Sequence, residues 1–305
     1  MDGRTAIRTL RELLNMSTTS DFLNPRTSYD YLDRAVLEFV SRTDCLKTSQ
    51  TITVAASQSS YYLNADFLKL YLTNEEREYV IKYSIGTDIY FPVQTRESEI
   101  IFTHKAAQLV PDTFTIRIKP SLEAAKAGAA TQNGDASGHL ASLVDGGADF
   151  GGGTGEMGVA SRDMIHNKTD GGSGLVISKV SDTELTTAMF EGRPDGGWTE
   201  GDEYTVQCLP RKELVIDPSP TTASHVITVH YTQMPPPVYH DYGVYMIEPQ
   251  FMNGIVAYAA FLYKYRDREP DFGDTYFKMF KAEVSRANEI YTNNQKTQYW
   301  QQRVE

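Results

Sequence analysis

The chain has 305 residues, 40% of them hydrophobic, and a formal net charge of −11, which predicts one large core with an inserted module, or two domains. So acidic a balance argues against a protein whose main task is gripping nucleic-acid phosphates, because that affinity comes from clustered Lys and Arg. An acidic wall repels a polyanion and suits a conduit that must not hold its cargo. No apolar run approaches transmembrane length and Met1 to Asn15 lacks the apolar stretch of a signal peptide, so a soluble chain is expected.

From the N-terminus, Ile7, Leu10 and Leu14 share one helical face of Arg4 to Leu14, and Leu32, Ala35, Val36 and Phe39 share one of Ser28 to Arg42, which predicts two helices. Strand-type runs follow at Thr51 to Ala56, Ser60 to Leu63, Tyr79 to Tyr83, Ile89 to Val93 and Thr113 to Ile118, enough for a small sheet.

Between residues 121 and 210 the composition changes. This stretch holds 17 of the 22 glycines, and its 14 acidic against 5 basic residues supply −9 of the −11 charge. It reads as an inserted module. Its entry, Glu123 to Ala141, reads as a flexible linker of Ala, Gly, Ser and Asn. Leu175 to Val180, Thr183 to Ala188 and Tyr204 to Val206 read as short strands between Gly and Asp turns, so a small barrel or sandwich is expected.

After the module, Glu213 to Ile216 and Val226 to Tyr231 continue the strand pattern until Pro235, Pro236 and Pro237 impose an extended connector. Pro249 suits the first turn of a helix carrying Phe251, Ile255, Tyr258, Leu262 and Tyr265. A second helix, capped by Asp271 or Asp274, carries Phe277, Phe280, Val284, Ala287 and Tyr291. An antiparallel hairpin is expected. Beyond Tyr291 the chain is polar except for Tyr299 and Trp300 and reads as an extended arm. The fold class predicted is therefore α+β: N-terminal helices and a C-terminal helical hairpin around a small β-sheet, residues 1–120 and 211–291, with an inserted all-β domain at 121–210 and an arm at 292–305.

Three segments resemble the head-to-tail connector or adaptor proteins of tailed bacteriophages. The first is the helix Tyr29 to Arg42, Cys45-Leu46-Lys47-Thr48, a strand Thr51 to Val54, and Tyr62-Leu63-Asn64-Ala65-Asp66-Phe67-Leu68, similar to a Y-x-L-P-x-D-F run with Asn64 at the proline position. The second is the closing pattern: strand Val226 to Tyr231, proline segment, Tyr258-Ala259-Ala260 and Phe280 to Ala287. The third is the module, whose Val144 to Phe150, Asp163 to Gly171 and Trp198 to Tyr204 look like a β-module recurring in phage virion proteins.

The resemblance implies a non-enzymatic virion protein at the neck, assembled in the host cytoplasm. It implies a homo-oligomeric ring, usually of twelve copies, bound to the portal protein and to tail tube or nozzle proteins. Genomic DNA would pass through without sequence-specific contact, and no membrane partner, cofactor or metal is implied. The arm residues Tyr299, Trp300, Gln301 and Arg303 are the expected partner-binding group, since an aromatic in a polar tail can fill a partner's pocket. Tyr258, Tyr265 and Tyr291 on the broad aromatic helices are inter-subunit candidates, because a ring needs two different complementary faces per subunit. The competing reading is a head decoration or a receptor- or glycan-binding virion protein in which Trp198 and nearby tyrosines grip sugar.

Catalytic patterns are weak. Gly153 to Gly158 fits G-x-G-x-x-G by letter but lacks the flanking strand and helix, and Asp271-Phe272-Gly273 lacks the rest of a kinase signature. His104, His139, His166, His225, His230 and His240 take no zinc spacing, although His225 and His230 could approach across a strand. Asp145, Asp149, Asp163, Asp170, Asp202 and Glu203 could offer oxygen ligands, but not in EF-hand order. Cys45 and Cys208 are read as reduced, buried thiols.

Overall fold

A computed structural model describes the chain except for residues 17–22, 71–80, 96–105, 120–124, 138–139, 153–156, 190–196, 267–269 and 303–305, and except for the side chains of 137, 270, 272 and 292–302. Both helices and sheets are present, and the class is mixed α+β.

Helix α1 (Gly3–Leu13) is capped by Asp2, whose carboxylate accepts from the Thr5 amide at 2.7 Å. Helix α2 (Pro25–Thr43) starts at Asn24, which caps Thr27, and has Pro25 at its first position; both are standard start signals. It stops at Asp44, which takes a left-handed conformation. The C-terminal hairpin pairs α3 (Met252–Arg266) with α4 (Pro270–Gln302). Gly254 of α3 lies so close to α4 that an added Cβ would meet the Glu283 side chain at 2.7 Å. The four described helices share one core, in which Phe39 of α2 packs on Phe251 at 5.5 Å and on Phe280 at 6.4 Å between ring centroids.

Among the described residues, the strands outside the module form two sheets, not the one small sheet expected. One orders β1 (Lys47–Thr53), β16 (Val226–Gln233), β4 (Ile81–Ile85) and β5 (Asp88–Tyr90), with β3 (Phe67–Leu70) also paired to β16. The other orders β2 (Ser60–Tyr62), β15 (Lys212–Asp217), β7 (Thr113–Ile118) and β6 (Val93–Gln94). Ile81, Tyr83, Ile227, Val229 and Tyr231 of the first meet Tyr61, Phe114, Leu214 and Ile216 of the second in one core. This core is separate from the helical one, so the helices stand beside a two-sheet layer instead of wrapping a single sheet. The physical reason is strand alternation: each strand has one apolar row, and two sheets bury those rows against each other.

Between β7 and β15 lies a seven-stranded sheet: β8 (Lys126–Ala129), β14 (Glu203–Gln207), β11 (Met164–Asn167), β12 (Gly172–Ser181), β13 (Glu184–Met189), β10 (Leu140–Val144) and β9 (Ala136–Ser137), in that spatial order. Just past β8 the Thr131 amide donates to the carbonyl of Val144 in β10 at 2.8 Å, so the sheet curls towards a barrel around Leu143, Phe150, Ile165, Val176, Leu185, Trp198 and Val206. The run expected to be a flexible linker is part of this sheet. Gly128 explains why: a Cβ there would meet Tyr204 Oη at 2.7 Å, so the glycine permits close packing of β8 on β14.

The extended arm expected beyond Tyr291 is also corrected, because the backbone of α4 runs on as helix to Gln302. The segment holds neither Pro nor Gly, and extending an existing helix needs no new nucleus.

Candidate functional site

Two junctions and one outer face decide what the molecule can present to a partner. At the first junction α2, β3 and β16 meet. Asp44 accepts from Thr232 Oγ1 at 2.8 Å and from Lys69 Nζ at 2.9 Å, while Lys69 also donates to the Ser41 carbonyl. Asp66 accepts from Tyr231 Oη and Gln233 Nε2, both at 2.8 Å, and its carbonyl accepts from the Met234 amide. Asn64 donates to the same Tyr231 oxygen at 3.0 Å. Burial pushes the Tyr231 phenol up to about 12, with Asp66 adding to the rise and Asn64 opposing it.

The second junction ties the module to the helices. Arg162, at a left-handed φ of 75°, donates to both Asp33 oxygens of α2 and to the Pro235 carbonyl. Beside it, Asp163 is fully buried and receives Arg211 through two nitrogens at 3.0 and 2.6 Å, together with the Ala160 and Leu209 amides at 2.8 Å. Arg211 lies where the chain leaves the module, so one buried pair fixes the exit. Leu140, Leu175 and Ile177 of the module pack on the helical core, which contains Ala188 itself. Tyr239 donates to Asp30 at 3.0 Å in the same seam, and burial raises its phenol far above the usual range.

The outer face combines charge with apolar surface. Arg4, Arg8 and Arg11 line a cleft of about 450 Å³ with Thr5, Ile7, Pro25 and Asp241. Next to it, Tyr242, Val244 and Met246 point outward with 77, 66 and 51% exposure, while Gly243, Tyr245 and Ile247 between them are buried. That alternation is strand-like, and Val244 makes a bridge to Asp2.

The predicted site residues fall unevenly on this arrangement. Tyr258 belongs to the hairpin's own aromatic cluster, 4.5 Å from the Phe280 ring, and Tyr291 packs on Phe251 and donates to Glu248. Tyr265 is 64% exposed and touches Phe261. The side chains of Tyr299, Trp300 and Gln301, and the whole of Arg303, lie outside the described residues. Trp198 is a correction. It is 2% exposed and its Nε1 donates to Thr187 Oγ1 at 2.9 Å inside the module, so it cannot grip a sugar in this state. Tyr204 is equally enclosed, donating to Asp145 at 2.7 Å.

His225 shares a hydrogen bond with Tyr83, whereas His230 sits in β16 opposite Ser49, so the two do not form a pair. Among the described residues no group of three or more His, Cys, Asp or Glu side chains could hold a metal ion. Asp145, Asp163, Asp170 and Asp202 are engaged in hydrogen bonds within the module. Gly153 to Glu156 of the G-x-G-x-x-G run and His104 and His139 lie outside the described residues, and Asp271 and Asp274 fall inside the first turns of α4. Cys208 is buried and Cys45 half-buried, and the two are not joined in a disulfide. No helix described is long and apolar enough to cross a membrane. Compared with protein-family models and with curated proteins, the chain matches none.

The arginine face was missed in sequence reading although its signal was present. Arg4, Arg8 and Arg11 recur at four and three residues, which places them within an arc of roughly 60° on an α-helix. The excess of acid elsewhere masked it.

Proposed function

We propose that this chain is a structural protein of the tailed-bacteriophage particle, a head-to-tail adaptor that forms a ring between portal and tail and extends the DNA channel. It works by assembly and not by catalysis. Its partners in this reading are further copies of itself, the portal protein and tail tube or nozzle proteins, with DNA passing unbound. Residues 1–120 and 211–291 form the adaptor body, and the module at 121–210 is held to it as a rigid projection.

The observation that carries the reading is the junction of α2, β3 and β16. The segments that resemble the connector family are far apart in the chain: the end of α2 with Leu46, the run Tyr62 to Leu68, and the end of β16 before the prolines. They converge there. Asp66 of the D-F pair bonds Tyr231 and Gln233, and the Leu46 carbonyl accepts from the Gln233 amide. Residues of the resemblance thus tie the Tyr62 to Leu68 run and the segment just after α2 to β16, a geometry that a ring subunit must hold constant from copy to copy.

The test is mass by light scattering for the chain alone and mixed with portal protein from the same particle, repeated after deletion of Thr297 to Glu305. A ring-sized complex with portal that is lost on deletion supports the adaptor and its C-terminal contact. Absence of any complex, with the chain found instead over the capsid surface, supports the decoration reading.

A further inference from the structure

The five-stranded sheet ends in two open edges. Its path runs β1, β16, β4, β5, and among the described residues no strand pairs with the outer side of β1 or of β5. Strand β1 is a long edge, seven residues in unbroken register with β16 and without Pro, Gly or an acidic side chain. Edges that must stay single are usually cut short, bulged or charged. Lys47 at its start is the one such guard on β1. Gln50 does not block the edge, because its side chain turns inward to the Tyr62 carbonyl and the Asn64 amide.

The ladder fixes which backbone groups point outward. The Gln233 amide donates to the Leu46 carbonyl and the Val54 amide to the His225 carbonyl, each straight across the register, so the even-numbered residues of β1 bond β16. The alternate residues of an antiparallel strand turn amide and carbonyl the other way. Those residues include Ser49, Thr51 and Thr53, all exposed. On β5, Ile85 and Asp88 close a two-residue hairpin as a hydrogen-bonded pair, and Ile89 follows at the non-bonded position opposite Ser84. Ile89 therefore turns its amide and carbonyl outward too, and it is 54% exposed.

Two conditions decide whether these edges can join when a copy is repeated by rotation about an axis along the strands. The first is direction. Three antiparallel steps separate β1 from β5, so β5 runs against β1 and also against the β1 of a rotated copy. The second is the face. Ile89 lies across from Ser84, Ser84 from Val226 and Val226 from Thr53, so Ile89 shares a sheet face with Thr53, Thr51 and Ser49. The outward-bonding residues of both edges thus put their side chains on one face, away from the core of Tyr83 and Ile227. Both conditions are met.

We propose that β5 of one copy adds to the free edge of β1 in a second copy of this chain, with Ile89 opposite Thr51, so that the sheet continues from subunit to subunit. Each junction exchanges two backbone hydrogen bonds between these residues and covers the Ile89 side chain. The two edges differ, so the contact is heterologous and closes into a ring by rotation. The inference rests on the adaptor reading for its biological setting, whereas the match of the edges is a property of the chain. One short junction is weak, and closure on a template multiplies it.

Disulfide trapping of the full chain tests it, because opposed residues of a hydrogen-bonded pair lie about 5.5 Å apart between Cα atoms, within disulfide reach. A Thr51→Cys chain mixed with an Ile89→Cys chain and oxidised gives a covalent dimer, in yield at least tenfold above either chain alone or wild type. A chain carrying both substitutions gives a ladder of oligomers. Thr51→Pro removes one outward amide and none of the bonds to β16, so portal-bound rings fall at least tenfold while the circular dichroism is unchanged. A mixture that cross-links no better than the separate chains would overturn the contact. So would Thr51→Cys dimerising alone as well as the mixture does, which assigns the edge to a symmetric pairing of two β1 strands. If no cross-link forms and Thr51→Pro rings on the portal are undiminished, the adaptor stands and this contact fails. If the ladder forms but wild type never joins the portal, the adaptor reading fails and the contact stands.

Discussion

Arg162 of the module grips both carboxylate oxygens of Asp33 in α2, at 2.5 and 2.8 Å, with each side chain only about a tenth exposed. This two-pronged contact spans 129 residues of sequence and ties the segment leading into β11 to α2. Removing one partner leaves the other charge withdrawn from water, so Asp33→Ala should cost about 3 kcal/mol in urea unfolding. Arg162→Ala should cost a similar amount, and the double variant far less than the sum. A loss under about 0.5 kcal/mol would make it an ordinary surface pair.

Phe280 is fully buried at the centre of the helical core, against Phe39, Tyr258 and Phe277. Phe280→Ala should destabilise by about 3 to 5 kcal/mol, transfer and cavity terms together. The far strands would report it too if unfolding is cooperative, which coincident fluorescence and far-ultraviolet transitions would check.

Tyr231 gives an alkaline signature. Its phenol ionises near 10 when unfolded and about 12 when folded, so the folded chain keeps a proton that the unfolded chain releases. This contribution is complete below 10 and disappears as pH rises through about 12. Tyr231→Phe should flatten that part of the stability curve, while Asp66→Ala, which strips Tyr231 and Gln233 of an acceptor, should cost about 1 to 3 kcal/mol at neutral pH.

His230 acts at the acid side. Burial lowers its basicity first and Lys82 lowers it further, from the usual 6.5. Below 6.5 the unfolded chain takes up a proton more readily than the folded one, so stability is lost as pH falls through the depressed folded value. His230→Gln should remove this acid loss in urea midpoints measured from neutral to mildly acid pH, and an unchanged slope would contradict it.

Much of this fold could be read from the sequence wherever one apolar face repeats. The stripes of Ile7, Leu10 and Leu14, and of Leu32, Ala35, Val36 and Phe39, mark α1 and α2 to within three residues, and the alternation at Thr113 to Ile118 marks β7. What failed had no local signal. Strand β8 is Lys-Ala-Gly-Ala, a linker by composition, yet it pairs with β14, and Tyr204 and Asp145 lie close against its glycine. The grip of Arg162 on Asp33 joins residues that nothing in sequence pairs. Trp198, expected in the competing reading to grip sugar, instead has its ring in the module's core.

The most direct measurement is electron cryomicroscopy of the assembled particle with this chain carrying a small N-terminal tag. The adaptor reading predicts tagged density as a closed ring at the neck, between portal and tail, with the modules projecting from it in a regular array. Tag density spread over the capsid, confined to the tail tip, or missing from the particle would contradict it.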